Sequence, residues 1–163
     1  MTYQQYFKDI DLNKIDEIID FFENRKLAVS EKIISLSKAM TNMRELSSSQ
    51  GEFYAYRQNL TAEKFNCMKL SSSLLKQLKQ LKKDLLKAYK FGDKTSLSKD
   101  TQIALKNNDE REIFFEADLK EYEYRIKTVD NHISFIMDSI ENLKNMIYGM
   151  ETAIKLQDYN TSI

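Results

Sequence analysis

The stretch of this chain whose residue types and spacing best suit a defined chemistry is KQLKQLKKDLLKAYKFGDK, residues 76–94. It holds seven lysines, two aspartates and no glutamate. At about 100° per residue, Lys76, Lys79, Lys83, Lys87 and Lys90 fall within roughly 80° of one another on a helical wheel, nearly opposite Leu78, Leu81 and Leu85. Lysines belong on the wet face of an amphipathic helix, so the position alone is ordinary. The single sign is not ordinary, because an exposed helical face usually mixes acids and bases to gain i,i+4 pairs worth a few tenths of a kcal/mol each. A one-sign stripe repels itself unless an anion neutralises it. Lys94 follows in the turn, and Tyr89 and Phe91 flank the stripe beside Gly92. Tyr54 and Tyr56 stand next to Arg57. Rings next to cations suit unpaired bases on a charged backbone. Lys76, Lys79, Lys83, Lys87, Lys90, Lys94, Arg57, Tyr89 and Phe91 are therefore the candidate residues for binding single-stranded DNA.

Other chemistry is scarce. His132 is the sole histidine, so neither a Ser–His–Asp relay nor the paired Glu-x-x-His of a di-iron bundle can be assembled; a boundary position beside the apolar seam is expected for it. Glu116, Asp118, Glu121 and Glu123 read as a solvated helix face rather than metal ligands or an acid–base pair. The three glycines, at 51, 92 and 149, are isolated, so no phosphate-cradling loop exists. Cys67, the one cysteine, reads as a small core or boundary residue rather than a nucleophile. No catalytic residue, metal site or cofactor is expected, and the chain is not expected to be an enzyme.

Long helices must position the stripe. The 163 residues contain no proline, no tryptophan and three glycines, with 31% charged and 42% apolar residues. That composition favours helix and argues against disorder. Lysines and arginines equal aspartates and glutamates at 25 each, yet the charge is segregated. Residues 1–24 carry −4, residues 76–99 carry +6 and residues 109–130 carry −4. A basic island between acidic flanks bears on partners rather than on fold. No apolar run reaches the eighteen or so residues of a membrane span, and the opening residues lack the features of a secretory signal. A cytoplasmic protein with no membrane partner is expected.

Leu12, Ile15, Ile19 and Phe22 predict a short acidic N-terminal helix within residues 1–29, with Asp11 as its cap and a break near Arg25 to Ser30. Residues 30–92 read as a long helical region with the basic face and a possible kink at SSSQG, residues 47–51. Residues 93–163 read as a short helix from Ser98 through Ile103 and Leu105, a turn at KNND, and then a long helix. In that helix Phe115, Leu119, Tyr122, Ile126, Val129, Ile133, Ile136, Ile140, Leu143, Ile147, Met150 and Ile154 alternate steps of four and three. The pattern predicts a coiled-coil seam. Met137, Met146, Tyr148, Ala153 and Leu156 widen it toward the C-terminus, which suggests more than one neighbour. The expected fold is all-α: a helical hairpin whose long C-terminal helix assembles into a homo-oligomer. Ile126, Val129, Ile133, Ile136, Ile140, Leu143, Ile147, Met150 and Ile154 are the expected oligomerisation residues.

The order of elements resembles the UvsY family of tailed-phage recombination mediators over roughly residues 53–159. The likeness lies in three places: the basic helix closing on LKAYKFGDK, the linking segment SLSKDTQIALKNNDE, and the ending NMIYGMETAIKLQDY. In that ending Asn145, Tyr148, Ala153, Ile154, Gln157 and Tyr159 stand at matching positions. Met146 and Glu151 stand where relatives tend to carry Arg and Lys, and the acidic first 25 residues have no identified counterpart. The resemblance implies a non-enzymatic homo-oligomeric ring, formed through the C-terminal helices in the host cytoplasm of a phage, that binds single-stranded DNA, loosens the single-strand-binding protein and helps load a RecA-like recombinase. The alternative from another class is a helical adaptor, chaperone or inhibitor that works through coiled-coil protein contacts without DNA.

Overall fold

The computed structural model describes the backbone of residues 3–41, 46–91 and 108–161, and the side chains of residues 5–41, 46–87, 116–117 and 119–160. These residues form a short helix α1 (Tyr3–Tyr6) and three long ones, α2 (Ile15–Ala39), α3 (Leu46–Phe91) and α4 (Asn108–Thr161), with no strand among them. At about 1.5 Å per residue, α3 and α4 extend roughly 70 and 80 Å. The pairs Tyr54–Glu151, Glu63–His132, Ser71–Asp130 and Lys82–Glu123 climb α3 as they descend α4, so the two are antiparallel. Arg25–Glu63 and Lys32–Glu52 set α2 antiparallel to α3 in the same way. The hairpin is as expected, and α2 makes it a three-helix arrangement along the N-terminal half of α3.

Heptad spacing explains how the three helices share one core. On α3, Leu46, Phe53, Leu60, Cys67 and Leu74 recur every seven residues and are all buried. On α4 the seam delivers Ile126, Val129, Ile136, Leu143, Ile147 and Met150, and on α2 Ile18, Phe22, Val29 and Leu36. Two apolar clusters result. One joins Phe7, Ile18, Phe22, Cys67, Leu70, Leu74, Leu78, Ile126 and Val129. The other joins Val29, Leu36, Leu46, Phe53, Leu60, Ile136, Leu143, Ile147 and Met150. Cys67 is thus a core residue, and burial pushes its thiol up to about 12, which keeps it in the unreactive protonated form.

The helix ends depart from the sequence reading in three places. Helix α2 crosses Arg25 to Ser30 without a break, so the boundary placed after residue 29 falls inside it. Val29 is fully buried there and Arg25 is held by Glu63, contacts that outweigh a weak local preference. Asp11 does not cap the helix. The residue before it is Lys14, without a side-chain cap, while the Asp11 carboxylate accepts the Asn13 backbone N–H at 2.9 Å in an Asx turn. Glu17 reaches back to accept the Asp11 N–H at 2.8 Å, and this holds the carboxyl below its usual range. Residues 47–51 are helical from the first turn of α3, and the preceding helix ends upstream, at Ala39. Serines are tolerated in a first turn, and burial of Leu46 and Phe53 on either side holds the helix. The expected short helix through Ile103 and Leu105 lies outside the described residues.

Candidate nucleic-acid interface

Helix α3 carries the candidate site on the side away from the core. Leu74, Leu78 and Leu85 are buried, and Lys76, Lys79, Lys83 and Lys87 are exposed on the opposite side of the same turns. Among the described residues none of these four lysines has an ion-pair partner. Lys82, to one side of them, is bound to Glu123 of α4 at 3.2 Å. Asp84, the acid among them, is engaged by Gln80 at 2.8 and 2.9 Å. Over the roughly 16 Å from Lys76 to Lys87, the helix therefore offers a row of cations with no ion-pair partner among the described residues. Lys94 and the side chains of Tyr89, Lys90 and Phe91 lie outside the described residues.

Several other candidates do not join this row. Arg57 lies nineteen residues before Lys76, roughly 28 Å along the axis, and is half-buried. The Tyr54 hydroxyl donates to the Glu151 carboxylate of α4, and Tyr56 packs against the second core cluster. Neither tyrosine is a free stacking platform beside the lysines. The ring that does stand near them is Phe65, 54% exposed, with the Lys64 ammonium 5.1 Å from its centroid. Phe65, Met68, Lys69, Ser72, Ser73 and Lys76 line an open hollow that runs into the lysine row. Position was the signal for these residues: Phe65, Ser72 and Lys76 share the face of Lys83 at helical spacing. An isolated apolar residue on a basic face is easily assigned to the core from sequence.

The seam on α4 packs largely inside the chain. Ile126, Val129, Ile136, Leu143, Ile147 and Met150 are buried against α2 and α3, and Ile133, Ile140 and Ile154 pack half-buried against the same clusters. Of the residues that widen the stripe, Met146 and Ala153 also join the core, whereas Met137, Tyr148 and Leu156 are exposed.

One layer of the core is polar, with one residue from each long helix. Arg25 of α2 reaches Glu63 of α3 through Nη2–Oε2 at 2.5 Å and Nε–Oε1 at 3.3 Å, and His132 Nε2 of α4 donates to Glu63 Oε1 at 3.0 Å. His132 is fully buried and stacks on Phe22 at 4.3 Å between ring centroids, so it is a core residue and not the boundary residue expected. Burial alone would push the Glu63 carboxyl up; the hydrogen bonds from His132 and Arg25 outweigh it and hold the group at about 2. Arg25 is correspondingly held in its charged form. This layer is structural in character: each charged group is spent on another, and it lies inside the bundle, away from the outer face of α3.

Among the described residues, no three His, Cys, Asp or Glu side chains gather as a metal would require. No described helix is long and apolar enough to cross a membrane. Comparison of the chain with protein-family profiles, characterised proteins and solved structures finds no match.

Proposed function

We propose that this chain is a non-enzymatic, single-stranded DNA-binding protein that holds the phosphate backbone along Lys76, Lys79, Lys83 and Lys87. In this reading it serves as a recombination mediator. It assembles with copies of itself, displaces the single-strand-binding protein and helps a RecA-like recombinase onto DNA. The resemblance to the UvsY family supplies that role, and the observation that carries the binding itself is the row of exposed lysines without ion-pair partners among the described residues. A rigid helix presents these cations at 3–4 residue intervals, a geometry suited to following a backbone without reading bases. Phe65, next to the row, offers a ring on which a base can stack.

The test is fluorescence anisotropy with a labelled oligonucleotide over a salt series, using wild type and the triple variant K79E/K83E/K87E. Each phosphate contact on a single strand contributes about 0.7 to the slope of log affinity against log salt. Losing three contacts should flatten the slope by about 2 and weaken binding alike for all sequences. An unchanged slope would remove DNA from this row. No binding by wild type even at low salt would favour the protein adaptor.

A further inference from the structure

The polar layer opens at one edge into a cleft of about 590 Å³ between the N-terminal residues, α2 and α3. We infer that this cleft is a binding site for a purine base. The inference does not rest on the DNA reading of the lysine row. The volume lies within the range of small-molecule pockets. Asn59, Ala62, Glu63 and Asn66 of α3 line the cleft together with Arg25 of α2 and Tyr6. Ala62 is the smallest of the lining side chains and is itself exposed, which leaves the entrance open.

Two buried polar groups in the cleft lack a protein partner. Asn66 is 6% exposed, and its amide makes no hydrogen bond among the described residues. The Tyr6 hydroxyl is buried without a hydrogen-bond partner, and its burial and the nearby Glu63 charge keep its proton in place. An unpaired buried donor or acceptor is costly, and native proteins seldom keep one that no ligand or water satisfies. Arg25 adds further donors. Two of its five N–H groups go to Glu63, and the side chain is still 36% exposed.

The lining selects the ligand. Its charges cancel, the exposed Lys8 against Asp9 and Arg25 against Glu63, which favours a neutral ligand over a phosphate or a cation. Both Glu63 oxygens already accept hydrogen bonds from Arg25 or His132. Tyr6, Phe21 and Tyr56 contribute rings against which a flat heterocycle packs. Asn59 and Asn66 stand seven residues apart on α3, and each amide offers a donor and an acceptor. Asparagine pairs with N6 and N7 of adenine, and arginine pairs with O6 and N7 of guanine. A pyrimidine has no N7, so both side chains suit a purine edge. Asn66 lies ten residues before Lys76, roughly 15 Å along the helix. The base can therefore belong to a free nucleoside or to a strand held on the lysine row.

The test titrates the full chain with adenosine, guanosine, cytidine and uridine, read by calorimetry and by the side-chain amide resonances of Asn66 and Asn59. Nucleosides carry no phosphate, so the lysine row adds nothing to their binding. At least one purine nucleoside should bind saturably and shift the Asn66 amide, with both pyrimidines at least tenfold weaker. A62L, which fills the entrance and leaves the polar layer intact, should melt like wild type and bind neither purine. N66L should weaken binding about 5- to 150-fold, the value of one bidentate pair to a base. K79E/K83E/K87E should bind the nucleoside as wild type does, so loss of the DNA reading leaves this site standing. Displacement of bound adenosine by an oligo-dA strand assigns the base to a strand, and retention of adenosine assigns it to a free nucleoside. The proposal is overturned if neither purine binds, if pyrimidines bind equally well, or if A62L binds like wild type.

Discussion

Replacing Glu63 with glutamine removes one charge from the centre of the bundle and little else. The carboxylate is 4% exposed, with Arg25 on one side and His132 on the other. Two routes give the magnitude. Breaking a buried ion pair by removing one partner costs about 3–5 kcal/mol. The Arg25 side chain is about a third exposed (36%) and water recovers part of its solvation, which places the loss near the lower bound. Independently, lowering the carboxyl from 4.5 to about 2 is a stabilisation of roughly 3 kcal/mol at neutral pH. For a chain of this length, about 3 kcal/mol is a fall in Tm of roughly 6–12 °C, measurable by circular dichroism at pH 7. The apolar variant R25M/E63L/H132L should recover most of the loss, because an apolar layer of similar volume needs no pairing. A fall of less than about 2 °C for E63Q would refute the claim that the layer is a tightly coupled ion pair.

Three further outcomes follow from the same packing. Glu63 has a depressed folded-state value, so its contribution is complete above about pH 4.5 and is lost as pH falls toward about 2; urea midpoints measured from pH 5 to pH 2.5 should drop in wild type more steeply than in E63Q. Ile136→Ala removes a fully buried side chain from the α4 seam and should cost about 2–5 kcal/mol of unfolding free energy in a urea titration; a loss under about 1 kcal/mol would mean the seam is not closed within one copy. Gly51→Ala places a methyl where nothing lies within 4 Å, in a helical position, and should stabilise by about 0.5–1 kcal/mol, read as a rise in Tm.

The long periodic parts of the fold were legible because their burial is one-sided and regular. The 4–3 alternation from Leu119 to Ile154 states a helix and a seam, and the structure has both. What periodicity leaves open is the neighbour: an unbroken seam reads the same whether it meets two helices of its own chain or one of another copy. Here α2 supplies a neighbour within the chain by running ten residues beyond its expected end. Arg25 looked like a break in an apolar pattern, but it is the half-buried partner of a buried carboxylate. Glu63 and His132 were missed for the same reason. Each is polar at a heptad position, and only the three together make burial affordable. The lysine face was legible, since the outer side of a helix follows from its inner side. Phe65 was not, because sequence does not say which apolar residues a core has room for.

The polar layer also bears on how the surfaces come to be aligned. The apolar residues of α3 repeat every seven positions from Leu46 to Leu74, so hydrophobic patterning alone tolerates a slip of one heptad against α2 and α4. Such a slip would bring Tyr56 or Leu70 to the level of Arg25 and His132. It would leave the Glu63 carboxylate inside an apolar cluster without its donors, at a cost of several kcal/mol. One register therefore stands far below its neighbours, much as a single buried polar residue sets the register of a coiled coil. Arg25 lies two residues from Leu27 and Glu63 lies two residues from Phe65. The contact that fixes the inner register therefore also fixes the height at which the exposed Leu27 of α2 and Phe65 of α3 are presented. In R25M/E63L/H132L the bundle can keep its stability and lose that alignment. Such a variant would melt like wild type but show broadened or doubled resonances for Leu27 and Phe65 in methyl and aromatic NMR spectra. A single sharp set would mean that packing alone holds the register.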